Sequence, residues 1–97
     1  MPQQERLGFV GIVLETRASA SMVNAIISQH AAVIKARVGV PDAQGDSAVI
    51  GLVVQGEDLT LGSLTAKLGN IRGVQVKSAL TKNTIKQEDS YHELSAK

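Results

Sequence analysis

The stretch KLGNIRGVQVKSAL, residues 67–80, changes periodicity within a few residues. Before Gly69 the apolar residues Leu61, Leu64 and Leu68 recur at helical spacing. After Gly73, Val74 and Val76 alternate with Gln75 and Lys77, the pattern of a strand with one buried side. A helix that ends here and returns at once as a strand must cover the sheet that the strand joins, because a short link leaves it nowhere else to go. Ile71, between the two glycines, is expected to tuck under the helix end.

The rest of the chain fits that layered arrangement. RLGFVGIVLE, residues 6–15, reads as a first strand interrupted by Gly8 and Gly11. TRASASMVNAIISQHA follows with Ala20, Val23, Ile26, Ile27 and His30 on one helical stripe, and either Ser19 or Ser21 can cap its start. AVIKARVGV, residues 32–40, is a second strand, with Ile34, Ala36 and Val38 expected inward and Lys35 and Arg37 outward. PDAQGD is a turn rich in breakers, and SAVIGLVVQG, residues 47–56, is apolar enough to be a central strand. Asp58 or Thr60 then starts the second helix, which ends near Gly69 or Asn70, either able to take a left-handed C′ conformation.

The resulting order is βαββαβ. It predicts an α+β fold, a ferredoxin-like sandwich: a four-stranded antiparallel sheet with strands one and three in the middle and two helices on one face. Residues 1–82 form this domain, and residues 83–97, polar with scattered Ile85, Tyr91 and Leu94, are expected to be a mobile tail. Phe9 and Tyr91 are the only aromatics, so the core must be built from Val, Ile, Leu and Ala. Such a core buries little area per side chain, which makes oligomerisation a natural further source of stability.

Alternation assigns the two faces of the sheet. If Val10, Ile12, Leu14, Ile50, Leu52, Val54, Val74 and Val76 face the helices, then Phe9, Gly11, Val13, Val49, Gly51 and Val53 form the centre of the other face. A one-residue slip or a bulge would reverse part of this assignment. Monomers rarely leave a large apolar patch in water, and glycines within strands allow another backbone or a ligand to come close. These six residues are therefore the candidate oligomer interface, the simplest partner being a second copy about a two-fold axis. The alternative is that Gly11 and Gly51 ease sheet twist and the tail covers the patch. Lys35, Arg37 and Lys77 are candidate contacts for an anion or small ligand at the margins, or else solvated charges that discourage edge pairing.

Catalytic and metal-binding patterns are not found in the sequence. There is no Cys, and His30 and His92 lie far apart. His30 on an apolar stripe near a helix end suits capping or packing, and no Ser sits in a nucleophile motif. No catalytic residue, cofactor or metal is therefore expected. A formal net charge of +1 gives no electrostatic reason to bind nucleic acid, and a lone Phe9 is a poor platform for stacking RNA bases. The polar start MPQQERLG lacks the apolar core of a secretory signal, and no run reaches the roughly 18 apolar residues of a membrane span. A cytoplasmic protein is expected.

RLGFVGIVLETR, IKARVGVP and TLGSLTAKLGNIRGVQVK together resemble the family of iron-only hydrogenase system regulators, over about residues 6–82. The resemblance implies a ferredoxin-like fold related to ACT-type ligand-sensing domains and to the metal-sensing half of nickel-responsive repressors, assembly into dimers or tetramers, and a regulatory role. The loop ETRASAS lacks the glycine usual in amino-acid-binding ACT domains, and the chain lacks the Cys ligand of the nickel repressors, so neither ligand carries over. Few residues precede the first strand, so a transcriptional effect is expected to need a separate DNA-binding partner. The expectation is thus a non-catalytic, homo-oligomeric regulatory or small-ligand-sensing domain, with a possible protein partner and no direct contact with nucleic acid or membrane. The alternative is a small dimeric ferredoxin-like enzyme with a pocket between sheet and helices, in which His30 is the one obvious candidate.

Overall fold

The computed structural model describes residues 5–82. The expected tail, and with it the division at residue 82, lies outside them. Strands β1 (Arg6–Leu14), β2 (Ile34–Gln44), β3 (Ser47–Gly56) and β4 (Val74–Leu80) form one antiparallel sheet in the order β2-β3-β1-β4. Helix α1 (Ala20–Gln29) follows β1, and α2 (Asp58–Gly69) follows β3. This is the expected ferredoxin-like sandwich, with strands one and three central.

The core lies between the helices and one side of the sheet. Val10, Ile12 and Leu14 of β1 and Ile50, Leu52 and Val54 of β3 meet Val23 and Ile27 of α1 and Leu61, Leu64 and Leu68 of α2. Each helix buries only the stripe that its three- and four-residue spacing provides, and the sheet buries alternate residues. Ile71 and Val74 close the core where α2 hands over to β4, as the periodicity change required.

Local signals were redistributed at the ends of elements. Ser19 does sit at the N-cap of α1, but its hydroxyl makes no cap bond and instead donates to the Arg72 carbonyl at 2.8 Å. A short 3₁₀ turn (Arg17–Ser19) precedes the helix, and there Thr16 Oγ1 accepts from the Ala18 N–H at 3.0 Å. At the end of α2 neither Gly69 nor Asn70 is left-handed; Asn70 has φ −81°, and the left-handed residue is Gly73, at φ 78°. The chain therefore turns three or four residues later than expected, at a glycine whose positive φ suits the entry into β4.

The second strand departs most from its sequence pattern. The pairing of β2 with β3 shifts between Ile34, opposite Val54, and Ala36, opposite Val53. Lys35 is the extra residue of this bulge, and it inverts the parity of Ala36 to Val40, after which a second irregularity falls between Val40 and Gln44. Ala36 and Val38, expected inward, share the side of Val53 and Gly51; Arg37, expected outward, lies on the helix side opposite Leu52. The strand also runs beyond Val40 through Pro41, which an edge strand tolerates. It turns at Gly45, φ 64°, before Ser47.

Candidate functional site

The face of the sheet away from the helices carries the six residues expected there, arranged as three directly opposed pairs: Phe9 with Val53, Gly11 with Gly51, and Val13 with Val49. Phe9 is 45% exposed and Val53 37% exposed. The bulge in β2 adds Val38 and Val40, opposite Gly51 and Val49, and Leu7 extends the row along β1. These three were missed. Leu7 continues the alternation and could have been read, whereas Val38 and Val40 depend on the bulge. The apolar surface thus reaches from β1 across β3 to the outer strand β2.

The glycine pair is asymmetric. A Cβ built on Gly51 would fall 2.4 Å from Phe9 Cζ and 3.2 Å from a Val38 methyl, so the Phe9 ring lies directly over this glycine. An aromatic side chain shields the bare backbone that a strand glycine exposes. At Gly11 the nearest contacts, with the Lys77 carbonyl and the Phe9 ring, are at 3.8 Å. Gly51 is therefore occupied from within the chain, and Gly11 leaves a shallow depression beside it.

The three candidate ligand-contacting cations do not converge. Lys77 stands opposite Gly11 at the β4 margin of the open face. Lys35 is in the bulge. Arg37 points to the other side, where its Nη2 donates to Asn24 Oδ1 of α1 at 2.8 Å. Here β2 extends beyond the cover of the helices and leaves a cleft of about 250 Å³. Leu14, Ala48 and Ile50 from the sheet and Ala20 and Asn24 from α1 line it, with Arg37, Gly39 and Pro41 along the outer strand. Among the described side chains that line it, Arg37 alone carries a charge, and its guanidinium is a donor of several N–H groups.

Contacts between loops tie the start of α1 and the end of β1 to the β2–β3 hairpin. Arg17 forms an ion pair with Asp46 at the hairpin turn, at 3.4 Å, and the Asp46 carboxylate accepts from the Arg17 backbone N–H at 3.2 Å. Ser47 Oγ reaches the Glu15 carbonyl at 3.4 Å. His30 is not part of this cleft. It terminates α1, where its Nδ1 lies 2.9 Å from the Ile26 carbonyl and must carry the proton to bond it. Among the described residues no three His, Cys, Asp or Glu gather in a geometry that could hold a metal ion, and no helix is long and apolar enough to cross a membrane.

A family model described as "TM1266-like: Iron-only hydrogenase system regulator, putative" matches residues 6–78, from the start of β1 nearly to the end of β4. The chain belongs to this family. The structure of the uncharacterized protein TM1266 from Thermotoga maritima is 36% identical, with a TM-score of 0.75, and the match covers 81% of this chain and 100% of that one. More distant likenesses concern the fold alone. The ACT domain of GTP pyrophosphokinase from Chlorobium tepidum is 21% identical over 81% of this chain and 89% of its own, at a TM-score of 0.59. A PII-like signaling protein from Thermus thermophilus is 13% identical over 93% of this chain and 99% of its own, at 0.58. No curated protein matches the sequence. This member of the regulator family therefore shares a scaffold with ACT and PII-like domains.

Proposed function

We propose that this protein is a non-catalytic regulatory domain that works in the cytoplasm as a homo-oligomer, its open sheet face packed against a second copy. In this reading it senses a small ligand and reaches any transcriptional target through a separate partner. The observation that carries the proposal is the continuity of the open face, in which Leu7, Phe9, Val13, Val38, Val40, Val49 and Val53 are all exposed across three adjacent strands. An apolar surface of this extent is the kind that proteins cover with a partner, and a two-fold axis lets one self-complementary patch serve both copies. Membership in a regulator family supports the regulatory half. The described lining of the cleft, apolar apart from Asn24 and Arg37, supports binding over catalysis, which calls for convergent acid, base or nucleophilic groups.

Sedimentation velocity tests the assembly. The wild type is expected to sediment as a dimer or larger at micromolar concentration. Val53→Asp, which places a carboxylate in the middle of the contact, is expected to sediment as a monomer with an unchanged far-ultraviolet circular dichroism spectrum. A wild type that remains monomeric at high concentration would overturn the proposal.

A further inference from the structure

We infer that the cleft between α1 and the outer strand β2 is a binding site for a small carboxylate with an apolar body, held by Arg37. This deepens the ligand-sensing half of the proposed function and rests on it. Three observations point to the same ligand chemistry.

The first is charge. Arg37 brings a guanidinium to the cleft, and among the described side chains its hydrogen-bond partner is the neutral Asn24, which orients it. A guanidinium has five donors in a planar fork suited to both oxygens of a carboxylate, and among the described residues Asn24 engages only one end of that fork. The second is shape and polarity. Ala20, Pro41 and Ala48 offer carbon surface to whatever enters, above the buried Leu14 and Ile50, and a cleft of about 250 Å³ suits a small molecule. A single cation beside apolar walls fits one carboxylate on a hydrocarbon body better than a phosphate, which calls for more donors.

The third is Gly39. Glycine inside a strand weakens it, yet nothing in the packing requires one at this position. A Cβ added there would meet only ordinary contacts, 3.7 Å from the Val49 carbonyl oxygen and 4.0 Å from Ile50 Cγ1. What the absent side chain provides is the open cleft. The bulge at Lys35 produces this arrangement, since the same parity change that turns Val38 and Val40 onto the open face turns Arg37 and Gly39 toward the cleft. Bulges are a common means of re-aiming side chains beside sites. One edge strand thus carries the proposed ligand contacts on one side and part of the proposed assembly surface on the other, so a ligand that shifts β2 would act on both.

The test uses amide nuclear magnetic resonance spectra of the full chain titrated with hexanoate, hexanol and inorganic phosphate at millimolar concentration. Hexanoate is expected to shift the amides of Asn24, Gly39 and Ile50, with hexanol and phosphate at least tenfold weaker. Arg37→Gln is expected to weaken hexanoate binding at least tenfold. Gly39→Val, which the backbone accommodates, is expected to fold and to abolish binding by filling the cleft. The inference is overturned if hexanoate leaves those amides unmoved in the folded wild type. It is equally overturned if hexanol or phosphate binds as well, or if either variant binds hexanoate unchanged. Sedimentation of the same samples separates the two proposals: a monomer that binds hexanoate contradicts only the assembly, and an oligomer that ignores it contradicts only this site.

Discussion

Leu52 and Val53 are neighbours in one central strand, yet Leu52 is fully buried and Val53 is 37% exposed. The same contrast holds across the sheet. Apolar residues of β1 and β3 fill both sides in one register, Val, Ile and Leu toward the helices and Val with Leu7, Phe9 and two glycines toward the open side. Composition therefore does not distinguish a core from an interaction surface here; only the presence of α1 and α2 on one side does. The helix side has its partner within the chain, and the open side presents a comparable surface with none among the described residues. What differs is the amount of help each residue has already received: Gly51 lies under Phe9, whereas Gly11 lies under nothing close.

Substitutions at matched positions can break or sharpen this contrast. Leu52→Ala should have the largest effect, lowering unfolding free energy by about 2–5 kcal/mol in urea titration, because it leaves a cavity under both helices. A loss as small as that of an exposed substitution would mean that the two sides are not distinct. Gly8→Ala should come next, at about 1–3 kcal/mol by the same measurement, the cost of forcing atoms into packed space. Its added Cβ would fall 2.3 Å from the Ala79 carbonyl oxygen and 2.9 Å from Leu80 Cα, both backbone atoms that cannot swing away.

Val38→Asp tests the bulge itself. With Val38 on the open side and 60% exposed, the chain should lose under about 1 kcal/mol of stability while its assembly weakens. A collapse of stability would put Val38 back in the core and remove the parity change. Gly11→Ala should have the smallest effect on unfolding, within about 0.5 kcal/mol, because its new methyl meets nothing closer than 3.8 Å. A cost similar to that of Gly8→Ala would show that the depression at Gly11 is absent.

The order of elements and the central placement of strands one and three were legible because each element carries a strong period of its own. The switch from the Leu61, Leu64 and Leu68 spacing to the alternation of Val74 and Val76 marks the return of α2 into β4 without ambiguity. The open-face positions Phe9, Gly11, Val13, Val49, Gly51 and Val53 were legible for the same reason, since β1 and β3 pair without interruption. The second strand was not. IKARVGV alternates so regularly that it conceals a bulge, which arises from how β2 fits against β3 and leaves no mark in the local sequence.

Other features depended on contacts between distant segments. Whether Ser19 caps its own helix or bonds Arg72 is decided by where β4 begins, more than fifty residues later. Whether Gly51 admits a partner or a ring from its own chain is decided by the rotamer of Phe9 on another strand. The cleft at Arg37 combines both difficulties, a bulge and a contact with α1, and so the pairing of Arg37 with Asn24 could not be read from spacing.

The most direct test of the central claim, that a second copy covers the open face, is to measure how a soluble paramagnetic agent broadens the methyl signals of the wild-type protein in solution. Val13, Val49 and Val53 should be protected well beyond their exposure in a single chain, while Leu59, 87% exposed on the outer side of α2, should broaden strongly. Dilution should progressively remove that protection. Val53 methyls that broaden in proportion to their single-chain exposure at every concentration would contradict the account.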